Sequence, residues 1–600
     1  MKKSSSESQK SHDAPLEDVN GRRGFLQKLG QAVVAGSVVG ALGSQGKTSG
    51  QARLKTDKPV ESITESAGSS RYDRVAEACN YRIEMAQQER IDVGVQRGNG
   101  DEALFTDFSG SYSKALRHDS LGIPNRAAYL SLRHACKTRS ATDFANIIVG
   151  TPSGGPNSKL NGPQGALAFD LQGLDAFATV IPPAPSVTSA QTAAEAVEHY
   201  WGSLLVDIPF RNYATDPLVG KAVADLNNLS YLQSPGNVEF PYPVTRENLF
   251  RGQFFPGDGN VKGPYVSQFM IQPTYFGPQF LDQKYRTCLP VGSGGENYMT
   301  SVSEYQLVQN GGDSGRRLII DPIARYLRTG RDLTCYTNAD VLYQGYLTAC
   351  LVLAGLGAAP NPGSPYIGSL SQKPFGTLGF PDAAGTIAEM ASRALKASWF
   401  HKWVKDMKMR PEEYGALVHA RKAGVNPMPQ AAMALHDDVL NSEAVAATFA
   451  NYGTYLLPQA FPEGSPTHPC YPTGHGAVGG ACCTALKFFF DGSQKLRPLL
   501  LNVGRDIYES SIDGLSLEPY FGADADEIDI NGELNKVAHN VSIGHGIHSG
   551  IHFRSSTYWS ILLGEQVALS VLHDRAKSYN EPFTISITKF DGTTATITNQ

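Results

Sequence analysis

The stretch that most constrains this chain is His468-Pro469-Cys470-Tyr471-Pro472-Thr473-Gly474-His475, running into Gly476-Ala477-Val478-Gly479-Gly480-Ala481-Cys482-Cys483-Thr484-Ala485-Leu486-Lys487. Small and apolar residues at helical density after His475 predict a buried helix whose N-terminus falls near Thr473 or His475. The first amides of a helix have no partner within it, so such an end accepts an oxyanion. Gly474 lets the backbone approach an anion closely because it carries no Cβ. His475 would then stand beside the anion, able to give or take a proton near neutral pH. A Pro/Gly turn ahead of an ordinary core helix, with two structural histidines, fits the same letters.

The 600 residues, 41% of them hydrophobic, suffice for two to four ordinary domains. A formal charge of −5 is small for that length and gives no nucleic-acid footprint. The 61 glycines and 36 prolines predict many defined loops. Eight cysteines form no CxxC pair and no zinc spacing, which argues against a cysteine metal site. Cys482 and Cys483 fall in the small-residue helix, where packing is their expected role.

Residues 1–20 are polar; Arg22-Arg23 then precede a mild apolar run from about Ala32 to Leu42. The run is too short to span a bilayer. Paired arginines ahead of it read as a twin-arginine export signal over residues 1–45. That signal implies a protein folded before export, periplasmic or extracellular in a bacterium. Residues 46–70 read as a linker. Two helical regions follow, 71–320 and 321–600, the second expected to hold the pocket. Helices are expected over residues 74–90, 192–204, 386–407, 439–451 and 558–576, with a fully buried one over 341–353. Alternation over 583–590 and 593–598 around Asp591-Gly592 predicts a β-hairpin. The chain reads as mainly α with a minor β part.

Two further stretches could complete the pocket. In the first, Trp399-Phe400-His401-Lys402-Trp403 is followed by Arg410-Pro411, so a lysine and an arginine lie at a helix end and just past it, with Pro411 marking the exit. Two permanent cations converging there could hold a tetrahedral oxyanion, Arg410 offering a bidentate fork. A solvated basic helix end is the alternative, since Lys405 and Lys408 are basic too. In the second, His545, His548 and His552 lie among glycines within eight residues and could ligate a metal. No carboxylate stands at the helical offset of H-E-x-x-H.

Together these blocks resemble the vanadium-dependent haloperoxidases and related acid phosphatases, whose pattern is Lys followed by Arg-Pro, then Pro-Ser-Gly-His, then Arg-x5-His. The seven residues between Lys402 and Arg410 match the algal bromoperoxidases. Residues 200–210, 263–269, 455–466 and 590–593 resemble the red-algal type, so the likeness covers roughly 75 to 598. The resemblance implies an all-α fold of two four-helix-bundle-like units with long loops, and a large homo-oligomer. It implies a vanadate cofactor, with His552 as the vanadium ligand. Lys402, Arg410, Thr473 and the Gly474 amide would hold the oxyanion. His475 would be the acid–base group, Asp340 its hydrogen-bond partner, and Trp399 and His468 the halide side. The implied reaction oxidises halide, bromide first, with hydrogen peroxide to a hypohalous-acid equivalent that halogenates an organic acceptor, the metal acting as a Lewis acid.

Three departures stand out. Thr473 replaces serine and keeps the hydroxyl. The arginine six residues before the vanadium histidine is Gly546 here, the nearest equivalent being His545. The acid four residues after that histidine is Ser556. His545 could supply the missing charge only when protonated, which a nearby oxyanion favours. Weaker vanadate affinity or a more acidic optimum is therefore expected. Arg554 folding back toward the pocket is another route. A phosphohydrolase using His475 as nucleophile, and a weakened vanadate- or phosphate-binding relative, are the alternative functions.

Overall fold

The computed structural model describes residues 70–92, 96–152, 154–155 and 157–599. The twin-arginine segment and all but the last residue of the expected linker lie outside them. The principal helices are α1 (Ser70–Asp92), α2 (Arg126–Thr138), α3 (Ala190–Leu204), α4 (Pro217–Asn227), α5 (Gly330–Asn338), α6 (Gln344–Gly355), α7 (Phe380–Phe400), α8 (Pro411–Ala423), α9 (Glu443–Tyr452), α10 (Gly474–Phe489), α11 (Ile530–His539), α12 (His545–Ser549) and α13 (Arg554–Ala576). A C-terminal hairpin pairs β1 (Thr584–Thr588) with β2 (Thr594–Thr598). The remaining strands of the described residues are also in two-stranded ladders, so the fold is all-α.

Two large hydrophobic cores organise most of these helices, and a smaller one holds α2 against Trp403. One gathers α6, α7, α10, α11 and α13 with the hairpin. The other surrounds α3 and includes α4, α8, α9 and Ile547 of α12. The small residues of α10 are explained by its contact with α13. A Cβ on Gly476 would lie 1.9 Å from Ser560 Oγ, and one on Gly480 would lie 1.9 Å from the Ile561 carbonyl oxygen. The reverse contact is equally close, Gly564 facing the Ala477 carbonyl at 1.9 Å. Backbone cannot yield as a flexible side chain does, so Gly480→Ala should cost about 2–3 kcal/mol, at the upper end of overpacking. Gly385, on the exposed face of α7, meets nothing within 4 Å. There the same change should stabilise by up to about 1 kcal/mol through helix propensity. Thermal melts of the two variants should therefore shift in opposite directions.

Several expected elements change at their ends. The helix expected over 386–407 starts at Phe380 and passes after Phe400 into a π-helical turn, His401–Asp406. Pro411 does not close that helix; it opens α8 at the first helical position, where its missing N–H costs nothing. The helix expected over 439–451 is broken, because the Ser442 hydroxyl accepts from the Val445 amide and starts α9 afresh. The helix expected over 341–353 begins at Gln344 and is not buried all round: Val341 is exposed and Leu347 half-buried. In the hairpin Ile585, Ile587 and Ile597 face the core, and Gly592 takes the positive φ of 78° that the turn requires.

Candidate active site

The pocket forms where the two cores meet. Cys470 packs in the α3 core and the next residue, Tyr471, in the α10 core, so residues 468–475 lie between both. Thr473 caps α10 from an extended backbone, yet its hydroxyl makes no cap bond and, though buried, has no partner. Ala477 is the first residue of that end whose amide finds a helical carbonyl, on Thr473. The preceding amides of Gly474, His475 and Gly476 have no backbone acceptor among the described residues. A Cβ on Gly474 would stand 3.1 Å from Leu395 and 3.3 Å from Trp399, so glycine keeps this amide open.

Lys402, on the π-helical turn, is fully buried and donates to the carbonyls of Pro469 (2.6 Å) and Cys470 (2.9 Å). Arg410, the residue before α8, is equally buried. Its Nε donates to the His468 carbonyl (2.7 Å), Nη1 to the Ile551 carbonyl (2.9 Å), and Nη2 to His468 Nδ1 (2.7 Å). Neither side chain pairs with a carboxylate among the described residues. Burial first, and then Arg410, hold the Lys402 amine well below its usual range; burial likewise lowers Arg410. A solvated basic helix end is thus excluded. Glu412 and Glu413 reach Arg410 electrostatically without bonding its side chain, and two buried like charges with no carboxylate bonded to either are costly unless an anion joins them.

His552 faces this pair. Arg410 Nη1 lies 3.0 Å from His552 Nε2, and a guanidinium only donates, so Nε2 carries a lone pair. The other nitrogen, Nδ1, is 3.3 Å from Ser556 Oγ and 3.4 Å from Cys470 Sγ. Ser556 spends its one hydrogen on the Cys470 carbonyl (2.8 Å), leaving its oxygen to accept from Nδ1–H. Both contacts set the same tautomer, in which Nε2 keeps its lone pair and gives it to Arg410 Nη1. Partners that orient a ligating histidine are typically worth about 10–100-fold in metal affinity. Ser556→Ala should therefore weaken vanadate binding by roughly that factor, measured by equilibrium dialysis, with Ser556→Thr restoring it.

On the other side, His475 Nε2 lies 3.3 Å from Asp340 Oδ1, and its ring centre is 5.0 Å from that of His545. The His475 side chain is 20% exposed, whereas Asp340 is nearly buried with Oδ2 unpartnered. Trp399 packs on His468 (4.8 Å between centres), with Lys402 Nζ 5.8 Å from the indole. His468 and His552 are 6.2 Å apart. The ten residues that the family resemblance assigns to the site therefore fall in one cluster.

His545 sits beside His475 and pairs through Nδ1 with the Thr337 hydroxyl of α5. Burial, then His475 and Arg410, push its imidazole well below the usual histidine range. It is thus neutral before an anion binds and is no permanent replacement for an arginine. Arg554 is no replacement either. It turns away to Glu198 and to the Arg251 carbonyl (2.8 Å), with the Phe240 ring 4.7 Å beneath it. His548 also leaves the cluster: Nδ1 faces the Gly202 carbonyl at 3.2 Å, and its ring packs on Phe250. Among the described residues no three His, Cys, Asp or Glu side chains gather as a metal cage. Thr337 and Cys470 went unrecognised in the sequence; Thr337 lies on α5 and Asp340 just past its end, and only the fold shows that this one segment serves His545 and His475.

Two buried cations, an unpartnered hydroxyl, free helix amides and a histidine with an unprotonated Nε2 make this an all-α protein built around an oxyanion site. These groups fit vanadate, which needs positive charge, N–H donors and one nitrogen ligand. No family model matches the chain. It is 30% identical over 592 residues to the vanadium-dependent bromoperoxidase of Corallina pilulifera, covering 83% of this chain and 94% of that protein. It is 31% identical over 542 residues to that of Ascophyllum nodosum, covering 87% and 92%. The homohexameric structure of the second vanadate-dependent bromoperoxidase of Ascophyllum nodosum superposes with a TM-score of 0.78 at 27% identity, over 91% of this chain and 94% of that one. The chain belongs to the vanadium-dependent bromoperoxidase family. It is an enzyme of that kind, catalysing vanadate-dependent oxidation of halide by hydrogen peroxide.

Proposed function

We propose that bromide is the halide, that the hypobromous-acid equivalent halogenates an organic acceptor, and that the clustered residues divide the work as follows. Lys402, Arg410, Thr473 and the Gly474 amide hold the oxyanion, and His552 Nε2 ligates its metal. Bound vanadate supplies Lewis-acid activation of hydrogen peroxide without redox change of the metal. His475, oriented by Asp340 and open to solvent, moves the proton of incoming peroxide. Lys402 stabilises negative charge as it develops on the oxygen that leaves. Trp399 and His468 line the side from which halide approaches. The observation that carries this reading is the buried Lys402–Arg410 pair with no carboxylate bonded to either side chain among the described residues, placed beside a histidine whose tautomer is set for ligation.

The test is bromination of a dimedone-type acceptor by purified protein with peroxide and bromide, before and after incubation with vanadate. Vanadate-dependent turnover is expected. Tight vanadate binding without turnover would leave a binding protein, and no binding would overturn the site assignment.

His545 gives the site a pH dependence. Its proton is absent from the free pocket and is favoured by a bound oxyanion, so binding takes up a proton and tightens as pH falls. His545→Ala should flatten that slope relative to the wild type when vanadate affinity is measured across pH 5–8.

Two wider proposals accompany the site. The Arg22-Arg23 pair ahead of the apolar run supports twin-arginine export, tested by fusing residues 1–45 to a folded reporter and changing both arginines to lysine. A homo-oligomer is supported by the homohexameric neighbour and is tested by the mass of the native particle.

A further inference from the structure

The π-helical turn that carries Lys402 begins and ends on a buried imidazole and a buried acid that the pocket does not use. His401 opens the turn and Asp406 ends it, both with fully buried side chains. The i→i+5 bonding of a π turn sets its first and last side chains on one face, where α-helical winding would swing them apart. His401 Nδ1 accordingly lies 4.0 Å from Asp406 Oδ2, and neither atom has a hydrogen-bond partner among the described residues. The turn is not the backbone's own preference. Met407, whose amide closes it on the Lys402 carbonyl (3.1 Å), holds a left-handed φ of 44°.

Counting hydrogens settles what the two atoms can do. The Thr179 hydroxyl gives its hydrogen to the Ala176 carbonyl (2.6 Å), so its oxygen accepts from His401 Nε2–H (2.9 Å). Nδ1 of the neutral ring is then a bare lone pair. Asp406 Oδ1 accepts from the Ala184 amide (3.2 Å), which leaves Oδ2 to face that lone pair. An ionised carboxylate would set two acceptors against each other in the interior, at a cost to both. One proton on Oδ2 turns the same pair into donor and acceptor. Lys405 and Lys408 reach Asp406 electrostatically, and Lys405 also opposes charge on His401. Burial outweighs the lysines at Asp406, raising its carboxyl to about 7, and lowers the imidazole to about 3, the order in which the acid keeps the proton.

We propose that Asp406 is a positioning residue, protonated in the folded protein, that donates from Oδ2 to His401 Nδ1 and so locks the π turn in the register that aims Lys402. A small rotation of either side chain closes the 4.0 Å gap to hydrogen-bonding distance. This role depends on Lys402 holding the oxyanion, as proposed above. Without the pair, residues 401–406 are free to wind on as a continuation of α7, which turns Lys402 away from the Pro469 and Cys470 carbonyls. The segment that carries Thr179 and Ala184 braces the same place. Lys405 Nζ donates to the Ile181 carbonyl (3.2 Å) and the Tyr471 hydroxyl to the Pro182 carbonyl (2.6 Å), so it ties the π turn to the residue next to Cys470.

The experiment compares Asp406→Asn and Asp406→Leu in the full chain. Asparagine offers an amide N–H to Nδ1 and an oxygen to the Ala184 amide, with no charge in either case. Native isoelectric focusing of the vanadate-free protein should therefore place Asp406→Asn with the wild type, while a control at the exposed Asp437, Asp437→Asn, moves by one charge per chain. Focused in urea, both variants should move alike. By equilibrium dialysis, Asp406→Asn should bind vanadate as the wild type does, and Asp406→Leu about 10–100-fold more weakly, as for other orienting partners. Should Asp406→Leu not fold, the double variant His401→Leu with Asp406→Leu removes both groups, leaves no orphaned atom, and carries the same expected loss. A native charge shift for Asp406→Asn equal to the control's would show an ionised carboxylate and overturn the proposal. Asp406→Asn losing vanadate as the leucine variant does would overturn it too, as would a leucine variant that binds like the wild type. Wild-type protein that binds no vanadate would instead strike the assignment of Lys402, and the focusing comparison, which needs no vanadate, separates the two failures.

Discussion

Arg410→Met is expected to abolish vanadate binding at micromolar concentrations while leaving the vanadate-free protein no less stable than the wild type. The guanidinium directs three nitrogens at the His468 and Ile551 carbonyls and at two imidazoles, without a carboxylate partner. Two such charge-assisted hydrogen bonds redirected to an oxyanion, at about 1.5–3 kcal/mol each, correspond to roughly 10²–10⁴-fold in affinity. Without the anion, the same charge sits desolvated beside Lys402 and opposes it. An apolar side chain of similar length removes that penalty, which offsets the donors lost to the two carbonyls. The signature is a vanadate-induced rise in melting temperature that disappears in the variant, while the melting temperature without vanadate holds or rises. Arg410→Lys should fall between, since an ammonium keeps the charge and loses the fork. A variant that binds vanadate as tightly as the wild type would remove Arg410 from the site. One that melts far lower without vanadate would make it a structural group instead.

What was legible in the sequence follows from how local each feature is. The buried helix after His475 is written in its small residues, and the reason is local to one contact: α13 leaves no room for a Cβ at Gly476 or Gly480. Lys402, Arg410, Gly474, His475, His545 and His552 were legible because their blocks carry their own chemistry at fixed spacing, whereas Asp340, Trp399, His468 and the Thr473 hydroxyl entered only through the family resemblance. Their convergence depends on two cores meeting at Cys470 and Tyr471. The π-helical turn that aims Lys402 was not legible, since one extra residue in a helical turn leaves no mark in apolar periodicity. Thr337 drew no notice in the sequence, since its contact with His545 spans 208 positions. Arg554 looked available to the pocket only because Glu198, its buried partner, lies 356 residues away. Side chains whose roles are set by distant partners need the fold.

His475→Ala is the variant expected to separate chemistry from binding most sharply. The side chain lies in the first turn of α10 and is the most exposed of the pocket imidazoles, with Nε2 turned to Asp340. With Nε2–H given to that carboxylate, Nδ1 is the atom left to exchange a proton with peroxide. Losing a positioned acid–base group costs about 10²–10⁴-fold in rate, so kcat/KM for peroxide should fall by that factor. Vanadate affinity should change less than about tenfold, because Lys402, Arg410, the Gly474 amide and His552 remain. Imidazole added to the variant should restore part of the rate, an effect that a packing role for His475 could not produce. Asp340→Ala should act through the same group: it frees the ring and lowers the rate less, about 10–100-fold as for other orienting partners. Equal losses in vanadate affinity and in turnover for His475→Ala, with no imidazole rescue, would place His475 among the groups that hold the anion and leave the proton transfer to another residue.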